Sequence, residues 1–274
     1  MLIIVTGAEG QLSKSVASIL GCKHQVHSFS RKELDITDYH RVNEVITSLR
    51  PDIVIHSAAI SGIDAAEENP HKAYLVNTYG TRNIAVAAEK VGAGLVYISS
   101  AYVFDGQKER YHELDKPRPL NVYGETKLGG EFYVELFHSR YWIIRTSWLY
   151  GENFIRTVLN IINSAGGIKV SDKQIGTPTS TTDLAKVIMN MIETKSHGIY
   201  HITSQGSCTK RQYYRHIASL LGVDNLEEKI IDAESDSKVC RPTHCVLEQK
   251  NAINQGFGIL KPWNEALSQF INNS

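Results

Sequence analysis

Residues 2–13 read LIIVTGAEGQLS, a short apolar run that leads directly into a turn with two glycines. The run from Leu2 to Thr6 predicts a buried β-strand, and the apolar periodicity from Gln11 to Leu20 predicts an amphipathic helix. A glycine-rich turn between a strand and a helix lets backbone N–H groups approach a diphosphate at the positive end of that helix. We therefore expect a dinucleotide to be held here by Gly7, Gly10, Gln11 and Leu12.

The spacing of this turn is G-x-x-G-x-x-S, with Ser13 at the position where a third glycine is usual. Serine is small enough to fit between the helix and the strand. An ordinary βα turn that happens to contain two glycines is the alternative interpretation.

Beyond the turn, short β-branched runs alternate with longer helical patterns as far as Tyr150, as in the βαβ units of a parallel sheet. Strands are predicted at Leu2–Thr6, Gln25–Phe29, Ile53–His56, Leu95–Ser99 and Trp142–Arg145. Helices are predicted at Gln11–Leu20, Tyr39–Leu49, His71–Lys90 and Val122–Phe137. These elements predict an α/β fold, a Rossmann-type doubly wound parallel sheet.

After Tyr150 the alternation becomes irregular, with helices predicted near Phe154–Asn163, Thr182–Glu193 and Arg211–Leu221 and a break at Gly166 and Gly167. The remaining chain is too short for a second Rossmann unit. We expect a small C-terminal α/β substrate-binding domain. The predicted division is a dinucleotide-binding domain at 1–150, completed by about 180–203, and a substrate domain at 151–179 and 204–274.

Composition limits the classes of function. Lys plus Arg and Asp plus Glu both number 29, so the net charge is 0 and no basic excess is available for nucleic acid. Hydrophobic residues make up 42%, too many for a disordered chain. No stretch approaches the roughly 18 apolar residues of a membrane span, and the first residues lack a basic signal-peptide region. We expect a globular cytoplasmic protein that binds neither nucleic acid nor a membrane.

The four cysteines are widely spaced except for Cys240 and Cys245, which have His244 between them. This C-x4-C spacing lacks the second pair of ligands that a structural zinc site needs. The prediction is reduced thiols and no metal site.

The end of the second predicted strand bears on the choice of cofactor. Ser30-Arg31-Lys32 follows Phe29, where an NAD-selective enzyme usually carries an acidic residue for the ribose 2′-OH. A hydroxyl and cations suit a 2′-phosphate instead, so the predicted cofactor is NADPH, with NADH as the alternative. The chain at Asp35 and Ile36 should lie beside the adenine of the cofactor. The competing interpretation is a solvated basic loop.

The strongest chemical pattern is Tyr123-x-x-x-Lys127, downstream of a predicted strand that ends near Ser100. Residues four apart share one face of a helix. A tyrosine with a pKa of about 10 can exchange a proton near neutral pH only if a nearby cation stabilises the phenolate. Lys127 could supply that cation, and Ser100 could hydrogen-bond a substrate carbonyl. Alternatively, Tyr123 and Lys127 form an amphipathic pair on the helix without a catalytic role.

Together these motifs resemble the extended short-chain dehydrogenase/reductases and, more closely, the dTDP-4-dehydrorhamnose reductases. The resemblance covers almost the whole chain. It is carried by Thr6-Gly-Ala-Glu-Gly-Gln-Leu12, Asp35-Ile-Thr37, Ala58-Ala59, Asp64, Glu67, Asn77, Ser99-Ser-Ala-Tyr-Val-Phe-Asp-Gly106, Asn121-Val-Tyr-Gly-Glu-Thr-Lys127, Arg145-Thr-Ser-Trp-Leu-Tyr-Gly151, Asn153-Phe154, Gln174-Ile-Gly-Thr-Pro-Thr179 and Arg241-Pro242.

The resemblance implies reduction of the C4 ketone of dTDP-4-dehydro-L-rhamnose by a nicotinamide cofactor in a monomer or homodimer. Tyr123 would protonate the carbonyl oxygen, Lys127 would lower the tyrosine pKa and hold the nicotinamide ribose, and Ser100 would orient the ketone. Further cofactor contacts are implied for Ala58, Ala59 and Asn77. Substrate contacts are implied for Ser61, Ile63, Ser100, Ala101, Tyr102, Trp148, Asn153, Phe154, Gln174, Thr179 and Arg241, the last suited to a diphosphate.

Three positions depart from the family pattern: Ser13, Ala101 in place of the usual Asp after the catalytic hydroxyl, and Asp172-Lys173 before Gln174. Two alternative functions stay open. One is a 4-ketoreductase or epimerase for another nucleotide-6-deoxy-sugar. The other is a non-catalytic regulatory subunit that resembles the animal partner of methionine adenosyltransferase, although the presence of Ser100, Tyr123 and Lys127 favours an enzyme.

Overall fold

The central feature of the fold is a six-stranded parallel sheet, seen in a computed structural model that describes residues 1–164, 168–170, 172–223, 230–232 and 239–272. Its strands are β1 (Leu2–Thr6), β2 (Gln25–Phe29), β3 (Ile53–His56), β4 (Gly94–Ser100), β5 (Tyr141–Thr146) and β10 (Gly198–His201). They lie in the order β10-β5-β4-β3-β1-β2. The chain therefore runs from β1 outward to β2 and then returns to build the other side, which confirms the doubly wound prediction.

The predicted Rossmann helices are present. Within the described residues the α-helices are α1 (Gln11–Leu20), α2 (Tyr39–Leu49), α3 (Ile63–Glu68), α4 (Pro70–Ala73), α5 (Thr81–Val91), α6 (Val122–Phe137), α7 (Glu152–Asn163), α8 (Thr181–Met191), α9 (Lys210–Leu220), α10 (Lys250–Asn254) and α11 (Trp263–Asn272). One face of the sheet packs on α1 and α8 and the other on α2, α5 and α6. Both faces are therefore covered, which explains why β1 is a continuous apolar run with Ile3, Ile4 and Val5 fully buried.

The single helix predicted at His71–Lys90 is instead three segments, because a π-helical stretch at Tyr74–Gly80 separates α4 from α5. Asn77 lies within this stretch with its side chain fixed by the backbone of Ile60 and the Thr126 hydroxyl. The Thr81 hydroxyl also donates to the Asn77 carbonyl, at 2.6 Å. These tertiary contacts hold a wider turn that helical periodicity alone does not reveal.

The chain after Tyr150 forms a smaller assembly of short strands. These strands are β6 (Leu149–Tyr150), β7 (Ile168–Val170), β8 (Ile175–Gly176), β9 (Thr179–Ser180), β11 (Cys208–Thr209), β12 (Ile230–Asp232) and β13 (His244–Cys245). They pair as β6 with β9, β7 with β12, and β11-β8-β13. A separate apolar cluster joins them to α7, α9 and α11. The Gly166–Gly167 break lies outside the described residues.

The helix α8 and the strand β10 belong to the large sheet layer, since α8 packs on α1 and β10 pairs with β5. The chain thus leaves the Rossmann layer after Tyr150, returns to it, and leaves it again. Within the described residues, no helix combines the length and apolar character needed to cross a membrane.

Candidate active site

The turn after β1 has the geometry of a dinucleotide cradle. Gly7 has a φ of 76°, and a Cβ atom there would lie 2.9 Å from Ala58 Cα, so only glycine fits without strain. Gly10 is the N-cap residue of α1, and neither a side-chain cap nor an acidic residue in the first turn covers the helix end. The open N–H groups and positive helix dipole suit the diphosphate of a dinucleotide.

Ser13 replaces a glycine in this turn without leaving a buried polar group unpaired. Its side chain is 1% exposed, and its hydroxyl lies 2.6 Å from the Ser57 hydroxyl. Ser57 in turn donates to the Thr6 carbonyl at 2.9 Å. The serine therefore ties the start of α1 to the ends of β1 and β3, so this departure from the glycine pattern preserves the cradle.

The end of β2 carries the residues expected near the adenosine ribose. The Arg31 side chain is 67% exposed, with its Nε 3.5 Å from the Asp35 carboxylate. The backbone N–H and hydroxyl of Ser30 both donate to the Glu33 carboxylate, at 2.8 and 2.7 Å. A carboxylate thus does reach this strand end, contrary to the sequence-based expectation, because the turn folds Glu33 back onto Ser30.

Among the other residues predicted to contact the cofactor, Ala58 and Ala59 follow β3 beside the Gly7 turn, and Ala59 faces the cleft. Asp35 accepts from the N–H and hydroxyl of Thr37, while Ile36 packs against Gly80. Asn77 is fully buried, and its amide is used by protein partners. Ile36 and Asn77 therefore position the walls of the binding region.

A cleft of about 480 Å³ lies between the carboxyl edge of the large sheet and the C-terminal assembly. It brings together twelve of the predicted site residues: Gly10, Gln11, Leu12, Ala59, Ser61, Ile63, Ser100, Tyr102, Tyr123, Lys127, Trp148 and Phe154. Because parallel strands all end at one edge, residues that follow β1, β3, β4 and β5 meet here although they are distant in sequence.

Ser100 ends β4, and Tyr123 and Lys127 lie one turn apart near the start of α6. The Asn121 side chain caps this helix by accepting from the Gly124 N–H at 2.9 Å. The Ser100 Oγ accepts from the Tyr102 N–H at 3.2 Å. The Tyr123 ring packs edge-on against Tyr102, with 5.8 Å between centroids. The three groups are thus held on rigid elements.

Burial sets the protonation states of this group. It raises the pKa of Tyr123, and a hydrogen bond with Ser100 works against that rise. The tyrosine pKa is therefore raised in the protein without ligands, whereas the family resemblance implied that Lys127 would lower it. Burial also lowers the pKa of Lys127 to about 7, with the Glu131 carboxylate acting in the opposite direction. Tyr123 is consequently protonated at neutral pH, as a proton donor must be.

A buried ion pair lies directly behind the catalytic group. Glu131, one turn after Lys127, accepts from Arg145 Nη2 at 2.7 Å and from the Ser99 hydroxyl. Ser99 and Arg145 are neighbours on β4 and β5. The Lys127 ammonium lies 4.2 Å from the centroid of the Tyr97 ring. Glu131 therefore connects α6 to both β4 and β5.

The substrate side of the cleft is built around Trp148. Its φ of 41° is unusual for a bulky residue and places the ring against Gly176, where a Cβ atom would come within 2.5 Å of the indole. Phe154 stacks on Tyr213, with centroids 5.8 Å apart. Gln174 hydrogen-bonds Tyr102, and Arg241 Nη2 lies 2.5 Å from the Asp64 carboxylate.

Of the residues expected to bind substrate, five do not line this cleft, and their roles stay predictions: Ala101, Asn153, Gln174, Thr179 and Arg241. Ala101 is 1% exposed within an apolar cluster that includes Phe104 and Leu247. Thr179 is fully buried in β9, where its hydroxyl donates to the Thr177 carbonyl. Asn153 lines a different cavity, of about 600 Å³, between α1, α7, α8 and α11. Strand pairing and helix rotation, which motif matching ignores, decide these positions.

Several cleft residues escaped the sequence analysis: Ser57, Ile98, Ser99, Thr146, Ser147, Leu149, Thr181, Lys210, Tyr213 and Tyr214. Thr146 and Ser147 could have been inferred from the Arg-Thr-Ser-Trp motif. Lys210 has no such signal, because it follows a two-residue strand whose pairing is not readable from sequence. Within the described ranges, no group of three or more His, Cys, Asp or Glu residues could hold a metal ion.

Comparison with known proteins agrees with this geometry. A family model described as RmlD substrate binding domain matches residues 1–274. The chain is 33% identical to the spore coat polysaccharide biosynthesis protein SpsK of Bacillus subtilis, covering 98% of this chain and 96% of that protein. It is also 33% identical to a dTDP-4-dehydrorhamnose reductase of Aggregatibacter actinomycetemcomitans, covering 97% and 96%.

Among solved structures, the dTDP-4-dehydrorhamnose reductase of Bacillus anthracis in complex with NADP superimposes with a TM-score of 0.94. The two sequences are 36% identical, and the match covers 100% of this chain and 99% of that chain. The chain therefore belongs to the dTDP-4-dehydrorhamnose reductase family.

Proposed function

We propose that this protein is an NADPH-dependent oxidoreductase that reduces the C4 ketone of a dTDP-4-dehydro-6-deoxy-sugar, with dTDP-4-dehydro-L-rhamnose as the substrate and dTDP-L-rhamnose as the product. The observation that carries the proposal is the meeting of Ser100, Tyr123 and Lys127 in one cleft with the glycine turn. Family membership over the full chain supports it.

NADPH, when bound, supplies the hydride that reduces the ketone carbon. The residues that would hold it are Gly7, Gly10 and the first turn of α1 at the diphosphate, Ser30 and Arg31 near the 2′-phosphate, and Lys127 at the nicotinamide ribose. The start of α1 has no side-chain cap, so its N–H groups fit a diphosphate. Glycine at position 7 also keeps the turn free of a Cβ atom that would collide with Ala58.

The Ser100 hydroxyl donates a hydrogen bond to the ketone oxygen and so fixes its direction. As negative charge develops on that oxygen, Tyr123 transfers its phenolic proton to it, which is general acid catalysis. The protonated form of Lys127 stabilises the phenolate that remains, and Glu131 favours that charged form. Trp148 and Phe154 exclude water from the sugar side of the cleft.

The decisive test is product analysis. The purified protein, incubated with NADPH and a panel of dTDP-4-keto-6-deoxy sugars, should oxidise NADPH with the rhamnose precursor and release dTDP-L-rhamnose. A different reduced sugar would reassign the substrate within the same chemistry. Absence of NADPH oxidation with every member of the panel would instead favour the non-catalytic regulatory subunit.

We further propose that the protein acts as a cytoplasmic monomer or homodimer, without nucleic acid or membrane. A net charge of 0 supports the absence of a nucleic-acid partner. Light scattering of the purified protein at several concentrations would test the assembly state.

A further inference from the structure

The three-stranded sheet β11-β8-β13 brings polar residues to one end of the substrate side of the cleft. β11 is antiparallel to β8, with Thr209 opposite Ile175, and β13 is parallel to β8, with His244 also opposite Ile175. The end of β11 therefore lies beside the starts of the other two strands. Lys210 continues from β11, Gln174 precedes β8, and Arg241 precedes β13 by a few residues, so all three lie at the same sheet end.

Lys210 differs from Arg241 in how its charge is balanced. Arg241 is already held by the Asp64 carboxylate at 2.5 Å. The Lys210 ammonium lies over the Trp148 ring, 5.9 Å from its centroid, and within the described part of the chain no carboxylate lies within ion-pair distance of it. It lines the same cleft as Ser100 and Tyr123. A cation so placed, without an ionic partner, is suited to an anionic ligand.

We infer that Lys210 is a substrate-positioning residue whose ammonium group binds the diphosphate of the dTDP-sugar beside Trp148. The inference rests on the proposed function and assigns a role to a residue that no motif indicated. A lysine amine can point its charge at either phosphate, while the stacked rings of Phe154 and Tyr213 offer an apolar surface nearby for the thymine ring.

The surroundings of Lys210 support this assignment and predict a pH dependence. Burial, and next the Arg241 charge, lower the pKa of Lys210, while Cys245 and Asp64 raise it. Tyr213 and Tyr214 on the same helix have pKa values raised by burial and stay neutral, as does Cys245 with a pKa of about 12. Asp172 is engaged by the Thr209 hydroxyl at 2.7 Å. An incoming diphosphate would therefore supply the counter-charge that the amine lacks.

The experiment is calorimetric binding of dTDP alone to the full chain, above about pH 7.5, where phosphate groups with a pKa near 6 are fully ionised. Lys210→Met should weaken dTDP binding roughly 10- to 100-fold, since a charged hydrogen bond is lost. Lys210→Arg should retain most of the affinity. Lys186→Met removes an exposed lysine on the other cavity and should change nothing.

The pH series separates a direct contact from a packing effect. In the unmutated protein the affinity for dTDP should fall as pH rises, because the lysine loses its proton, whereas Lys210→Arg should keep its affinity. Lys127 also titrates, but both proteins contain it, so its effect cancels in the ratio of their affinities for dTDP. NADPH binding should be equal in all variants, which shows that they are folded.

Two outcomes would overturn the assignment without touching the proposed function. One is dTDP binding by Lys210→Met equal to that of the unmutated protein. The other is an identical pH dependence in the unmutated protein and Lys210→Arg. Failure of the unmutated protein to bind dTDP while it still binds NADPH would overturn the proposed function as well.

Discussion

The Rossmann half and the C-terminal assembly form opposite walls of one cleft, but they are built from different kinds of contact. In the Rossmann half, strands of four to seven residues carry their ligand-facing residues at their ends, and α6 sets the spacing of Tyr123 and Lys127. In the C-terminal assembly, the strands β6, β8, β9, β11 and β13 have two residues each. Its binding residues are placed by long-range pairing.

This difference predicts that a substitution in one wall should weaken the binding of one ligand and leave the binding of the other unchanged. Under the proposed function, cofactor binding and proton transfer depend on local geometry in the Rossmann half, and recognition of the nucleotide sugar depends on packing in the C-terminal assembly. Among the hydrogen bonds that join them, Gln11, the first residue of α1, accepts from the Phe154 N–H at 2.9 Å.

The largest expected effect is that of Tyr123→Phe. The variant loses the proton donor but keeps the ring that packs on Tyr102, so turnover should fall roughly 10²- to 10⁴-fold. Stopped-flow or steady-state oxidation of NADPH measures this. Binding of NADPH and dTDP should be unchanged, and a variant with near-normal turnover would exclude Tyr123 as the acid.

The next largest effect is expected for Gly7→Ala, which strains the backbone of the turn after β1 and leaves the C-terminal side of the cleft unchanged. A φ of 76° and a Cβ atom 2.9 Å from Ala58 Cα should cost roughly 1 to 3 kcal/mol. The variant should unfold at lower urea concentration and bind NADPH about tenfold more weakly, while its affinity for dTDP stays the same. Equal losses for both ligands would mean that the two walls are not separable.

Gly176→Ala is the matching change on the substrate wall. A Cβ atom there would overlap the Trp148 indole at 2.5 Å and push the ring out of place. The affinity for dTDP should fall about tenfold, roughly 1.4 kcal/mol, with the affinity for NADPH retained. Fluorescence of Trp148, isolated by comparison with Trp148→Phe, would report the displacement. Unchanged dTDP binding would show that Trp148 does not support the nucleotide.

A smaller effect is expected at the end of β2. Arg31→Ala should reduce the preference for NADPH over NADH by about tenfold at most, because an exposed arginine makes a weak contact. Glu33→Gln should increase that preference, since it removes a carboxylate beside Ser30. Dissociation constants for both cofactors at one ionic strength decide this. If the ratio of the NADPH and NADH dissociation constants is unchanged in both variants, Ser30-Arg31-Lys32 is a solvated loop that does not select the cofactor.

A separate effect, on stability and not on binding, is a slope of the free energy of unfolding with pH. The folded-state pKa of Lys127 is about 7, against 10.5 for an ordinary lysine, so between these values the unfolded chain binds more protons. The free energy of unfolding contributed by Lys127 therefore rises with pH across this window. Urea unfolding at several pH values should show a shallower slope for Lys127→Met. Parallel slopes would mean that Lys127 is not desolvated in solution.

Sequence reasoning located the Rossmann strands and helices to within a residue or two, because their periodicity and glycine turns are local. It missed the π-helical turn at Tyr74–Gly80, which depends on what Asn77 touches. The resemblance also implied substrate contacts for Thr179 and Asn153, which do not line the cleft, because a motif suggests a role but not the direction of a side chain. Glu33 escaped because a carboxylate three residues away reaches Ser30 only once the turn has formed.

The sequence by itself determined the doubly wound class, the dinucleotide turn and the Tyr123–Lys127 pair, since each follows from backbone geometry over a few residues. Only the tertiary structure decided which residues of the C-terminal assembly line the cleft. Lys210 and Arg241 meet because two strands of two residues each pair with β8. Such short strands leave no periodic signal, and their pairing is stabilised by packing between distant parts of the chain.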